Sequence, residues 1–205
     1  MLYRAETARL PLWHSAIKRV LDVTLSVIGF VVLFPVLVYV ALRVYFSSEG
    51  PIFYSQERIG YKRKKFRIIK FRSMYVDAET NGPRLSYNND ERITKWGRTM
   101  RRWKLDELPQ LWNVLMGEMS IVGPRPEREY YINQLEKDKQ SFEHLLQVKP
   151  GLTSLGMIRF GYAASVNEMR ERMKYDMMYI QKKSLTLDMK IIVDTVKVIL
   201  APKGR

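Results

Sequence analysis

Residues 23–42 read VTLSVIGFVVLFPVLVYVAL, a run of twenty residues without a charge between Asp22 and Arg43. At about 1.5 Å per residue, a helix of this length matches the roughly 30 Å hydrocarbon core of a bilayer. A secretory signal peptide would have a shorter apolar stretch followed by a small-residue cleavage site, and this pattern does not occur here. We therefore predict that the segment enters a membrane, with a helix buried in a soluble core as the alternative.

Basic residues lie on both sides of this apolar segment. Lys18 and Arg19 precede it, and Arg43 and a basic run over 58–72 follow it. Because cations near a membrane segment favour the cytoplasmic side, both flanks are expected in the cytoplasm. Pro35 lies inside the segment and removes one helical hydrogen bond. We predict a re-entrant helix that is kinked at Pro35 and returns to the same face, with a straight span as the alternative.

The composition limits the chemistry that the chain can perform. Its 205 residues suffice for one domain and an accessory segment, which we divide into a membrane-associated part, 1–46, and a cytoplasmic domain, 47–205. Lys and Arg total 35 against 21 Asp and Glu, so the net charge of +14 predicts an anionic partner. There is no cysteine, which excludes thiol nucleophiles and thiolate zinc sites. The two histidines, His14 and His144, are far apart in the sequence and suggest neither a catalytic triad nor a histidine metal cluster. Catalysis is therefore expected to use carboxylates, hydroxyls and cations.

Two strands are predicted after the apolar segment. A Gly-Pro turn signal at 50–51 is followed by apolar residues that indicate a short strand. In KKFRIIKFRSM, over 64–74, basic and apolar residues alternate, so that Phe66 and Ile68 can face inward from a second strand. The polar stretch over 77–92 is predicted to be a loop.

Helical patterns dominate the rest of the chain. Pro109 suits the first turn of a helix that would end at Gly117. Ser165 and Glu168 have the spacing of a capping box, which predicts a helix over 166–182. The last segment has one polar and one apolar face, so it is expected either to pack on the core or to lie in the membrane plane.

Asp106 and Glu107 form an acidic pair at the start of the predicted helix. Backbone N–H groups and the helix dipole at such a position favour an ionised carboxylate. An ionised carboxylate can attack phosphorus where cations and a divalent metal neutralise the phosphoryl oxygens. Such cations occur in the strand at 65–72 and at Arg125, which has a proline on each side. The alternatives are that Asp106 is only an N-cap and that Arg125 is an ordinary surface residue.

Four blocks of sequence, in this order and spacing, resemble the bacterial sugar transferase family. They are IKRVLD, FRIIKFRSM, LDELPQLWNVLMGEMSIVGPRP and VKPGLT, and DELPQ and GPRP are the most specific parts. The family comprises the monotopic polyprenyl-phosphate hexose-1-phosphate transferases, or phosphoglycosyl transferases. The resemblance covers the chain from about Lys18 to the last helix. It implies a compact, helix-rich α/β (α+β) catalytic core on the cytoplasmic face of the bacterial inner membrane, held by a re-entrant helix and interfacial amphipathic helices.

The resemblance also implies a reaction. The position of Asp106 is that of a nucleophile, which attacks the β-phosphate of a UDP-sugar, releases UMP and keeps the phospho-sugar. Undecaprenyl phosphate then accepts the hexose 1-phosphate, which begins a lipid-linked surface glycan such as exopolysaccharide, capsule, O-antigen or a glycoprotein glycan. The other implied roles are Mg²⁺ binding by Asp106 and Glu107, substrate-phosphate contact by Lys70 and Arg125, and lipid-phosphate contact by Lys18 and Arg19.

The chain departs from the family pattern at two places, and one alternative function stays open. Phe34-Pro35 stands at the break of the re-entrant helix, where many members have Ser-Pro. In the block after VKPGLT, Met157 stands where many members have Gln, so we assign no sugar-contacting residue from that block. The expected partners are a UDP-sugar, polyprenyl phosphate and the cytoplasmic leaflet, without nucleic acid; a homodimer is left open. The alternative is a membrane-anchored basic module that binds nucleic acid or anionic lipid without catalysis through the patch at 58–72.

Overall fold

The first helix accounts for the apolar segment. The computed structural model describes residues 12–80, 82–87, 89–135 and 139–201. Helix α1, Leu12–Tyr45, has 34 residues and continues through Pro35. It is the one helix in these ranges that is long and apolar enough to cross a membrane, and most of its apolar side chains are exposed. The re-entrant path and the division at residue 46 stay predictions, and residues 1–11 lie outside the described part.

The two predicted strands form an antiparallel hairpin. Strand β1, Phe53–Ile59, pairs with strand β2, Lys65–Phe71. The predicted inward positions are confirmed, because Phe66 and Ile68 are buried. Among the described residues of the predicted loop 77–92 there is no helix or strand, as expected.

The middle of the chain places short helices beside a small parallel sheet. The predicted helix at Pro109 is preceded by a 3-10 helix that contains this proline, so the α-helix begins two residues later than expected. It ends at Gly117, where φ of 81° favours glycine. The elements are α2, Lys95–Arg102; the 3-10 helix, Leu105–Gln110; α3, Leu111–Met116; and β3, Ser120–Val122, which pairs in parallel with β4, Gly151–Thr153.

The C-terminal helices contain the largest apolar cluster. The prediction for 166–182 is confirmed, since Ser165 Oγ accepts the N–H of Glu168 at the start of that helix. In the last helix Ile191 is buried, whereas Met189 and Val196 are exposed. This helix therefore packs on the core with one face and leaves apolar residues exposed. The elements are α4, Glu129–Gln134; α5, Lys139–Leu145; α6, Leu155–Arg159; α7, Val166–Lys182; and α8, Leu185–Leu200.

A smaller apolar cluster joins α1 to the rest of the fold. Val40 and Val44 of α1 pack with Phe71 of β2 and Met100 of α2. All four side chains are buried. The described residues thus form a helix-rich mixed fold with two small sheets, in agreement with the expected fold class.

Candidate active site

The acidic pair lies in the 3-10 helix, and both carboxylates are buried. The helix begins after Lys104, whose φ of 57° and ψ of 20° place it in the left-handed region. Few non-glycine residues adopt this conformation. The alternative that Asp106 is only an N-cap is wrong, because Lys104 occupies that position and no side chain caps the helix.

Glu107 binds two cations that come from distant parts of the chain. Its Oε1 atom accepts from Lys70 Nζ at 2.7 Å and from Arg125 Nη2 at 2.8 Å. Burial opposes ionisation, but the charges of Arg125 and Lys70 outweigh it and hold the pKa of Glu107 well below its usual value. Arg125 is therefore a partly buried ion-pair partner and not an ordinary surface residue. The fold brings three of the residues predicted from the sequence together at one carboxylate.

Asp106 is bonded differently from its neighbour. Its Oδ1 atom is buried and has no hydrogen-bond partner among the described residues. Burial raises the pKa of Asp106, the charge of Glu107 raises it further, and Lys70 and Arg101 lower it by less. This direction is opposite to the one expected from a helix start, because burial and a like charge exceed the effect of backbone N–H groups. An unpartnered buried carboxylate oxygen is costly, and it is free to receive a ligand atom.

The segment around Arg125 is held from two sides. On one side, Asp176 of α7 accepts from the N–H of Gly156 at 2.8 Å and from the N–H of Arg125 at 3.5 Å. Burial raises the pKa of Asp176 to about 6. On the other side, Arg58 Nη1 donates to the carbonyl oxygen of Pro126 at 3.3 Å. The backbone of Arg125 is thus fixed while its side chain reaches Glu107.

Two residues at the site were not predicted from the sequence. Lys104 Nζ lies 3.7 Å from the centre of the Tyr162 ring, and Arg125 Cζ lies 5.0 Å from the same centre. Burial lowers the pKa of Lys104 to about 8, although the charge of Glu107 acts in the opposite direction. Lys104 lies two residues before the acidic pair, so the sequence could have indicated its place at the site. Tyr162 is a single tyrosine in a loop, and nothing in the sequence indicated its place there.

Lys18 contacts α8, and Arg19 contacts the C-terminal end of α3. Lys18 Nζ pairs with Asp188 of α8 at 2.7 Å. Arg19 donates to the carbonyl oxygens of Val114 and Leu115 at 2.6 and 2.7 Å. No hydrogen bond or ion pair within the described ranges joins either cation to the acidic pair. Their contact with a lipid phosphate stays a prediction.

The basic patch at 58–72 is less open than its sequence suggests. Three aromatic residues interleave with this patch and could stack on nucleic acid bases. Phe66 and Phe71 are buried in the core, whereas Tyr61 is exposed. Arg72 donates to the carbonyl oxygens of Ser48 and Glu49. These contacts reduce the surface that the alternative binding module would need.

The acidic pair has the chemistry of a divalent-cation site that is completed by substrate. The described part of the chain contains no group of three or more His, Cys, Asp or Glu side chains that could hold a metal. Mg²⁺, however, often binds to one or two carboxylates together with substrate phosphates and water. The unpartnered oxygen of Asp106 is a suitable hard ligand, and Glu107 provides a second carboxylate. The two residues therefore fit Mg²⁺ that binds together with a phosphorylated substrate.

Comparison with known proteins gives consistent matches. The model of the bacterial sugar transferase family matches residues 13–202. A protein of Aeromonas hydrophila described as UDP-N-acetylgalactosamine-undecaprenyl-phosphate N-acetylgalactosaminephosphotransferase is 35% identical over 191 residues, which are 93% of this chain and 45% of the relative. A UDP-glucose:undecaprenyl-phosphate glucose-1-phosphate transferase of Xanthomonas campestris pv. campestris is 40% identical over 91% of this chain and 39% of its own length. The chain thus spans less than half the length of these two relatives.

In a shorter relative the match covers a larger share of the relative's own length. A UDP-glucose:undecaprenyl-phosphate glucose-1-phosphate transferase of Caulobacter vibrioides is 37% identical over 185 residues. The match covers 89% of this chain and 69% of the relative.

Proposed function

This chain belongs to the bacterial sugar transferase family, and we propose that it transfers a sugar 1-phosphate from a UDP-sugar to undecaprenyl phosphate. The observation that carries the proposal is the unpartnered Asp106 Oδ1 next to a carboxylate that holds two cations. The names of the two relatives from Aeromonas hydrophila and Xanthomonas campestris include a UDP-sugar and undecaprenyl phosphate as what those proteins act on. Both substrates are anions, which fits the net charge of +14.

In the proposed first step, Asp106 is the nucleophile. One of its carboxylate oxygens attacks the β-phosphorus of the UDP-sugar and forms an O–P bond. The bond from this phosphorus to the bridging oxygen breaks, and its electron pair leaves with UMP. The sugar 1-phosphate is then an acyl phosphate on Asp106. A carboxylate with a raised pKa is a stronger nucleophile than an ordinary one, provided that it is ionised when substrate binds.

In the proposed second step, an oxygen of undecaprenyl phosphate attacks the same phosphorus. The bond between phosphorus and Asp106 breaks, which restores the carboxylate and leaves a sugar diphosphate on the lipid. The surface glycan that would follow, whether exopolysaccharide, capsule, O-antigen or a glycoprotein glycan, depends on later enzymes. The two anionic substrates thus meet the site in turn, which avoids holding their charges together.

The neighbouring cations stabilise the charge that develops in both steps. Lys70 and Arg125 lie at fixed positions on Glu107, so little reorganisation is needed when phosphoryl oxygens arrive. Mg²⁺, when bound to Asp106 and Glu107, would supply further neutralisation of the phosphoryl oxygens. Glu107 holds both cations at the reacting group and would hold the metal there as well.

The contacts of α1 support a position on one side of a membrane. Lys18 near its start pairs with Asp188, and Val44 near its end packs with Met100. These two residues are 26 positions apart, or roughly 39 Å along a helix. A straight span would put them on opposite sides of a roughly 30 Å core, where one folded body cannot bind both. We therefore infer a re-entrant α1 and a catalytic core at the cytoplasmic leaflet of the bacterial inner membrane.

Release of UMP tests the proposed reaction. Parent, Asp106→Asn and the control Asp194→Asn, which alters an exposed ion pair on α8, are incubated with a panel of UDP-sugars, undecaprenyl phosphate and Mg²⁺. UMP release should fall at least about 10³-fold in Asp106→Asn and stay unchanged in the control. Equal release by Asp106→Asn would reject the covalent mechanism. No release by the parent with any donor would favour the binding module.

The position of α1 can be tested separately, because the chain contains no cysteine. Ala5→Cys and Thr80→Cys are treated in intact spheroplasts with a membrane-impermeant maleimide. Both should be protected until the cells are lysed. Labelling of only one would mean that α1 spans the membrane, and labelling of both would reject the cytoplasmic position.

A further inference from the structure

A third cation borders the acidic pair and has no carboxylate partner. Lys70 and Arg125 both bind Glu107, whereas no carboxylate within the described ranges lies within ion-pair distance of Lys104. The charge of Lys104 still reaches the pair, because it lowers the pKa of Asp106. With both carboxylates ionised, the charges of Lys70 and Arg125 balance the pair. Lys104 adds positive charge, as does Arg101, which also acts on Asp106.

Tyr162 holds this cation in place. The ring lies under Lys104 Nζ at 3.7 Å and also contacts the guanidinium of Arg125 at 5.0 Å. A ring face attracts a cation but does not neutralise it, unlike a carboxylate. Lys104 is therefore oriented by the ring and is not paired with a carboxylate of the described residues, so its charge is available to an incoming anion.

The backbone of Lys104 also indicates that this residue is held for a function. Its left-handed conformation, with φ of 57°, is unfavourable for a residue with a side chain. Glycine would adopt this conformation without cost, but glycine could not supply a cation. Strained residues of this kind persist where the surrounding structure holds them, and they are frequent at functional sites.

We propose that Lys104 is a further phosphate-binding residue for the nucleoside diphosphate part of the donor, and that Tyr162 is its positioning residue. This inference rests on the proposed function for its substrate. Lys104 contacts the diphosphate directly, together with the cations on Glu107. Tyr162 acts through Lys104, so its ring is required and its hydroxyl is not.

Binding of UDP tests the inference without turnover. UDP is titrated into the purified full chain in nanodiscs of uncharged lipid, for the parent and five variants. Lys104→Met and Tyr162→Leu should each weaken UDP binding about tenfold. The first variant removes the cation, and the second removes the ring that holds the cation in position. Lys104→Arg and Tyr162→Phe should stay within about threefold of the parent, because charge and ring are retained. Lys174→Met, which removes an exposed lysine of α7, is the matched control and should have no effect.

Steady-state kinetics separate positioning from a general loss of structure. In Tyr162→Leu the KM for the donor should rise about tenfold with little change in kcat, and Tyr162→Phe should restore it. Equal UDP affinity in Lys104→Met and Lys174→Met would overturn the inference, as would a parent that does not bind UDP. Equal loss in Tyr162→Phe and Tyr162→Leu would overturn the role of the ring. A parent that binds UDP through Lys104 but releases no UMP would reject the proposed function and leave this inference intact.

Discussion

Two groups of buried charges lie on either side of the segment that carries Arg125, and they are bonded differently. Behind the segment, Glu127 accepts from Arg172, and Asp176 accepts from two backbone N–H groups. In front of it, among the described residues, Asp106 keeps an oxygen without a hydrogen-bond partner and Lys104 has no carboxylate within ion-pair distance. The carboxylates of both groups are buried and Lys104 is partly buried, so burial does not separate the carboxylates. The two groups differ in how their carboxylates are bonded, since Arg172 Nε behind the segment also has no hydrogen-bond partner among the described residues.

The difference between the groups separates a structural role from a functional one. A buried charge that the protein itself satisfies holds the fold together, and removing one partner is costly. A buried charge that the protein leaves unsatisfied lowers stability and is retained where a ligand will complete it. Substitutions in the front group should therefore reduce activity more than stability, and those in the back group should do the reverse.

Glu107→Gln should have the largest effect, because Glu107 combines both roles. The variant leaves the partly buried Lys70 and Arg125 without the carboxylate that they both bind, so UMP release should fall about 100-fold and the free energy of unfolding by about 3 kcal/mol. Activity assays and denaturant unfolding measure the two quantities. Glu129→Gln, at an exposed ion pair with Lys65, should change the free energy of unfolding by less than about 0.5 kcal/mol. Normal stability in Glu107→Gln would contradict the double role.

Arg172→Met should affect stability and not catalysis. It leaves Glu127 buried with only Arg58, 3.6 Å away, so the free energy of unfolding should fall by about 3 kcal/mol. UMP release per folded molecule should stay within about threefold of the parent. Lys174→Met on the same helix again serves as the control. A loss of activity larger than the loss of folded protein would remove the distinction between the two groups.

Asp176→Asn should have the smallest effect, visible in the pH dependence of stability. The pKa of Asp176 in the folded chain is about 6, above the value of an unfolded aspartate, so the folded state binds the proton more tightly. Its stabilising contribution is complete below the unfolded pKa and is lost as the pH rises. Relative to the variant, the parent should lose about 2 kcal/mol of unfolding free energy between about pH 4.5 and about pH 6.5. Parallel curves for parent and variant would show that Asp176 does not titrate there.

Local sequence patterns predicted the elements that depend on neighbours in the chain. The start of α7 follows from Ser165 and Glu168, which interact three positions apart. The inward face of β2 follows from simple alternation, which places Phe66 and Ile68 in the core. In both cases the interacting groups lie within one turn or one strand, so their spacing is sufficient.

The bonding of the acidic pair could not be predicted in this way. Glu107 meets Lys70 across 37 positions and Arg125 across 18, and no spacing rule states which carboxylate will receive them. The opposite pKa directions of Asp106 and Glu107 follow from that choice. The contacts of Arg19 could not be predicted for a similar reason. Its acceptors at the end of α3 are backbone carbonyl groups, which every residue type carries.

The attachment of α1 to the rest of the fold also bears on how far the candidate active site lies from the membrane surface. Arg19 binds the end of α3, whose chain leads back to Asp106, and Asp22 accepts from Ser120 and from the N–H of Ile121, whose chain leads on to Arg125. Helix α1 therefore binds both segments that contribute to the candidate active site. In the proposed membrane position of α1, these hydrogen bonds and the short chain segments that follow them set the distance from the lipid headgroups to Asp106 and Arg125. The fold thus fixes the depth of the candidate active site relative to the bilayer surface.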